Sequence, residues 1–152
     1  MGAAFFYHLT RAPLEATLPI LLGKAQGAGW RVAVRGADKA RLDWLDQKLW
    51  LGPDEGFLPH GLASAPHAEQ QPILLTDETH YPNDPACVML IDGAEPDPQE
   101  VTKMERVCVL FDGHDDAAVQ TARGHWKILT DTGCAAQYWS EESGKWEKKA
   151  EA

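Results

Sequence analysis

The chain has 152 residues, enough for one domain with its own core, and its 44% hydrophobic and 24% charged residues are those of a soluble globular protein. A formal net charge of -9 excludes broad, nonspecific attraction to nucleic acid, which needs an excess of Lys and Arg, but leaves room for a small basic patch. No run approaches the roughly 18 consecutive apolar residues that cross a bilayer, and Met1 is followed by Gly2, Ala3 and Ala4 without a charged or long apolar leader, so a cytoplasmic protein without a signal peptide is expected.

In chain order, 3-AAFFYHL-9 reads as a first strand. Thr10 then offers a helix cap, Pro13 fits a first helical turn, and Leu14, Leu18, Leu21, Leu22 and Ala25 recur at helical spacing until Gly27 and Gly29. The run 30-WRVAV-34 suggests a buried parallel strand. Residues 38–51 form the next helix, with Leu42, Leu45 and Leu49 on its apolar face. A loop follows that ought to be polar. Instead it carries Phe57, Leu58, Pro59 and His60 just after Trp50. Such aromatics either fold back onto the core or form an exposed apolar patch of the kind that marks a protein interface.

Further on, 72-PILLT-76 is strand-like, 77-DETHYPNDP-85 is a turn-rich connection, and 86-ACVMLI-91 and 106-RVCVLF-111 are strands closed by Asp-Gly pairs. The segment 94-AEPDP-98 reads only as a weak connection. Asp115 or Asp116 caps a helix that runs to about Thr130, a last edge strand lies near 134-CAAQYW-139, and 141–152 is a charged, frayed tail after a single domain over 1–140. Alternating strands and helices predict an α/β domain, a mostly parallel sheet with helices on both faces. Cys87, Cys108 and Cys134 are far apart, without paired zinc-ligand spacing, and read as reduced thiols.

In such folds ligands bind at the carboxyl ends of the strands. The first strand-to-helix turn, 9-LTRAPLE-15, has no glycine-rich phosphate cradle, which argues against a nucleotide there. The strand end 111-FDGHDD-116 offers Asp112, His114, Asp115 and Asp116, whose carboxylates and imidazole suit a divalent metal; the simpler reading makes them turn and cap residues. The cluster 77-DETH-80 carries the same two readings, and Ser64, Ser140 and Ser143 lack the elbow motif of a serine nucleophile. More specific is 121-TARGHWK-127: Arg123 and Lys127 are four apart and share a helix face, Trp126 lies beside them, and His125 adds partial charge. An exposed helix face with a half-buried tryptophan accounts for the pattern. So does a site for an acidic, apolar-tipped partner, since arginine grips carboxylates in bidentate fashion. Direct binding of single-stranded DNA by these groups would be weak and strongly salt-dependent.

Taken in order, 5-FFYHLT-10, 43-DWLDQKLW-50, 57-FLPHGLA-63, 72-PILLT-76, 106-RVCVLFDG-113 and 122-ARGHWK-127 make the chain resemble the chi subunit of the bacterial DNA polymerase III holoenzyme over about residues 4–139. The resemblance implies a three-layer α/β/α domain, Rossmann-like in topology but without the phosphate-binding loop. It implies a noncatalytic adaptor without cofactor or metal, and not an enzyme. Such an adaptor links the clamp-loader complex to the acidic, Phe-terminated tail of single-stranded-DNA-binding protein, and reaches DNA only through the assembly. By resemblance, Arg123, Trp126 and Lys127 meet that tail, and Trp50, Phe57, Leu58, Pro59 and His60 meet a psi-like subunit or a helicase. The competing expectation is a small metal- or nucleotide-dependent hydrolase using Asp112, His114 and Asp116.

Overall fold

The central strands are apolar on both sides, and that decides the architecture. In a computed structural model, which describes residues 2–11, 13–50, 60–62, 68–141 and 146–151, eight strands form a single sheet. They are β1 (Ala3–Leu9), β2 (Val32–Gly36), β3 (His60–Leu62), β4 (Ile73–Thr76), β5 (Cys87–Ile91), β6 (Arg106–Asp112), β7 (Ala135–Ser140) and β8 (Glu147–Glu151). Four α-helices, α1 (Leu14–Gly27), α2 (Lys39–Trp50), α3 (Pro98–Lys103) and α4 (Asp116–Asp131), and a short 3-10 helix at Ala68–Gln70 complete the described elements. The strand order is β3-β4-β2-β5-β6-β1-β7-β8, and every neighbouring pair is parallel except β7 with β8.

Strand alternation divides the core in two. Cys87, Met89 and Ile91 of β5 pack with Leu18, Leu22, Leu42 and Leu45 of α1 and α2. Val88 and Leu90 pack on the other face with Val101 of α3 and Ala122 and Leu129 of α4. Parallel strands reached by crossover helices are buried on both faces, and β2 and β5 accordingly have no exposed residue. This is the expected three-layer α/β/α domain.

The differences from the sequence reading have physical causes. Helix α1 begins at Leu14 with Pro13 as its cap residue, not at Thr10, and no side chain caps it. The second strand is displaced by two residues, to Val32–Gly36, so Trp30 precedes it and packs against the core's edge. Helix α3 lies where a weak connection was expected; its signals are the capping Asp97, which accepts from Gln99 N–H at 2.9 Å, and Pro98 in the first turn. The segment expected to be a frayed tail carries β8, an antiparallel strand whose exposed residues gave no hydrophobic pattern to read. Its anchor is Trp146, packed edge-on against Tyr7 with ring centroids 5.3 Å apart. The strand over 134–139 therefore lies one place inside the edge.

The connection from β4 to β5 must cross the end of β2, and buried polar groups fix it there. Asn83, fully buried, donates to the carbonyls of Val32 and Gln71 at 3.1 Å. Arg35, 8% exposed, donates to Tyr81 Oη at 2.9 Å, to the Glu95 carbonyl at 2.9 Å and to Glu100 Oε1 at 3.4 Å. Tyr81 in turn donates to Glu100 Oε2 at 3.0 Å. Burial, then the Glu100 charge, pushes the Tyr81 hydroxyl up to about 12, so it remains a donor throughout the physiological range.

Removing one partner of a buried ion pair leaves the other uncompensated. Glu100→Ala is expected to lower stability by about 3 kcal/mol in urea unfolding, whereas Arg35→Met combined with Glu100→Leu loses less than the single change.

Candidate functional site

Helix α4 is set by its two ends and its inner face. Asp115 accepts from the N–H groups of Ala117 at 3.0 Å and Ala118 at 3.3 Å, capping the first turn. At the other end Gly133 turns with φ +87, a conformation natural to glycine. Ala122, His125 and Leu129, spaced three and four apart, are buried against the sheet.

That spacing places Arg123 and Lys127 outward. Both are exposed, and neither makes an ion pair among the described residues. Trp126 sits at the boundary, half-buried. Its ring meets Phe6 edge-on at 5.4 Å between centroids and 70°, and Tyr138 of β7 at 6.1 Å and 79°. Tyr138 is anchored in turn: its hydroxyl and His8 Nδ1 are 3.0 Å apart, and His8 stacks on Phe111 at 5.2 Å. Four other rings, Phe6, Tyr138, His8 and Phe111, thus hold the indole, leaving a fixed aromatic edge beside two exposed cations. Ile128, 47% exposed on the same helix, adds apolar surface.

The structure brings Arg123, Trp126 and Lys127 together as the sequence spacing required. His125 belongs elsewhere: it faces inward at 9% exposure and not into the patch as expected, and burial holds its imidazole below the ordinary histidine value, against an opposing pull from Glu95. The second set of predicted residues is mostly out of view. Phe57, Leu58 and Pro59 lie outside the described residues, as does the side chain of Trp50. His60, expected on an exposed surface, is 4% exposed, with Nε2 at 3.1 Å from Asp46 Oδ1 and 3.2 Å from the Asp46 carbonyl. It ties β3 to α2.

The strand-end carboxylates serve the backbone. Asp112 Oδ1 accepts from His114 N–H at 2.9 Å, and His114 Nε2 lies 2.6 Å from the Thr10 carbonyl. Asp115 is the cap and Asp116 the first helical residue. Asp77 to His80 are all exposed. Among the described residues no three His, Cys, Asp or Glu side chains group as metal ligands. A cleft of about 730 Å³ does open at the carboxyl ends of β1, β5 and β6, lined by Leu9, Thr10, Asp92, Phe111, His114 and His125 among others. Sequence reasoning missed one residue at its edge. Glu141, 8% exposed, accepts from the N–H groups of Thr10 at 3.0 Å and Arg11 at 2.9 Å. Only the β1–β7 register, which sets His8 against Ser140, brings Glu141 level with that turn.

A family model described as "DNA polymerase III chi subunit, HolC" matches residues 1–137. The chain is similar to "Probable DNA polymerase III subunit chi" of Rickettsia prowazekii (strain Madrid E), 25% identical over 101 residues, covering 66% of this chain and 58% of that protein. The match thus spans less than two thirds of the relative's length. A solved structure, "Structure of the C-terminal domain of the DEAD-box protein Dbp5", covers 91% of this chain and 76% of its own at 16% identity, but its TM-score of 0.30 bears on neither fold nor function. Among the described residues no helix is long and apolar enough to cross a membrane.

Asp115→Ala removes two hydrogen bonds from the first turn of α4, and thermal or urea unfolding is expected to register a loss of about 1 kcal/mol.

Proposed function

The chain belongs to the DNA polymerase III chi subunit family and so to the accessory side of DNA replication, and from that premise we propose that it is a noncatalytic adaptor whose α4 patch binds the acidic C-terminal tail of single-stranded-DNA-binding protein. The observation that carries the reading is the pairing of two exposed cations, Arg123 and Lys127, which make no ion pair among the described residues, with the fixed aromatic edge of Trp126.

The chemistry follows from the partner's two features. Carboxylates are gripped by guanidinium in bidentate geometry and by ammonium as a point charge. A terminal phenylalanine loses water against a rigid apolar wall, and such a wall costs no ordering on binding. The net charge of -9 does not oppose this, because exposed charges more than about a Debye length away, ~10 Å at moderate salt, are screened. It works against direct binding of a phosphate backbone, which needs many cations at once. DNA is reached through the assembly, in the cytoplasm, and no cofactor is required.

The adaptor needs a second contact, on the clamp-loader side. We place it at Trp50, Phe57, Leu58 and Pro59, facing a psi-like subunit or a helicase. His60, which follows that segment in sequence, is buried and contacts Asp46 of α2.

Fluorescence anisotropy of a labelled acidic peptide ending in Pro-Phe tests the first contact. The expected Kd is micromolar, about -8 kcal/mol. Arg123→Ala is expected to weaken it by about tenfold or more, and added salt weakens it further. A folded wild-type chain that ignores the peptide would remove this reading.

A further inference from the structure

The turn between β1 and α1 holds a carboxylate of the chain itself at the place where folds of this topology receive a ligand. Consecutive N–H groups in a turn form a concavity that attracts anions. Here Thr10 N–H and Arg11 N–H converge on one oxygen of Glu141, at 3.0 and 2.9 Å. Glu141 is 8% exposed, and a carboxylate removed from water persists only where donors replace the lost solvent.

Beside this turn lies the 730 Å³ cleft, within the size range of small-molecule sites and at the strand ends where such sites form. Thr10, Arg11 and His125 all line it. Two buried polar atoms in that lining, Thr10 Oγ1 and His125 Nδ1, have no hydrogen-bond partner, and His125 is more than nine-tenths buried. Buried polar groups are nearly always paired, so unpaired ones inside a cleft point to a missing ligand.

We propose that the Thr10–Arg11 turn is a binding site for a phosphate-type anion, closed by the chain's own Glu141, and that the adjoining cleft admits a phosphate-bearing ligand when that carboxylate leaves. Thr10 Oγ1 and His125 Nδ1 are the further hydrogen-bonding groups such a ligand meets. The latch is the side chain of Glu141, which directly follows β7; its withdrawal uncovers the two N–H groups.

The test uses the full chain, labelled with nitrogen-15, as wild type, Glu141→Gln and Glu141→Ala. Each is titrated with inorganic phosphate at constant ionic strength, with chloride as the control anion, and the Thr10 and Arg11 amide resonances are followed. The glutamine variant keeps the shape and one acceptor oxygen while losing the charge. Both variants are expected to show saturable shifts at these two amides, at affinities about tenfold or more above the wild type, a difference of about 1.4 kcal/mol. Four results overturn the proposal: folded variants whose two amides do not respond; a wild type that binds phosphate as tightly; chloride reproducing the response; or loss of the fold in both variants, which would make Glu141 a structural tie.

Discussion

Two-sided burial of the central strands is the constraint from which the rest follows. A parallel strand cannot turn directly into its neighbour, so each connection leaves the sheet and crosses a face. Here α1 and α2 cover one face and α3 and α4 the other. Once both faces are closed, polar groups meet solvent at strand ends, at the sheet's outer strands and on outer helix surfaces. The candidate sites lie in two of those places: the cleft above β1, β5 and β6, and the outward stripe of α4.

How much of this was legible depends on whether a feature was local. The strands β1, β4, β5 and β6 announce themselves as short apolar runs, and α4 by its cap and helical spacing. Arg123, Trp126 and Lys127 were found because helix geometry alone sets their proximity. His125 was misplaced because spacing fixes an angle between side chains but not which angle faces the sheet; Ala122 and Leu129, read together, decide it. Strand β3 is three residues long, and β8 is nearly all charged, so neither carries a hydrophobic pattern. The Arg35–Tyr81–Glu100 network and the Glu141 contact join residues far apart in sequence. Such contacts become visible only with the strand register.

The division of labour on α4 explains how an acidic protein carries a cationic site. The inner face holds the helix on the sheet through apolar contacts. The rings beneath Trp126 fix the indole without using any charge. Arg123 and Lys127 make no ion pair among the described residues, so a partner of the proposed kind would meet both charges. The Arg35 guanidinium shows the opposite case, engaged by Tyr81, Glu95 and Glu100.

Strand β8 has a consequence of another kind. An outermost strand exposes a row of unsatisfied N–H and C=O groups, and such a row templates the addition of foreign strands. This one displays Glu147, Lys148, Lys149 and Glu151, paired across 3.2 Å as Lys148 with Glu151 and Lys149 with Glu147. Any incoming strand would have to strip water from both signs of charge at once. Edge-to-edge pairing of two copies through β8 is thereby disfavoured.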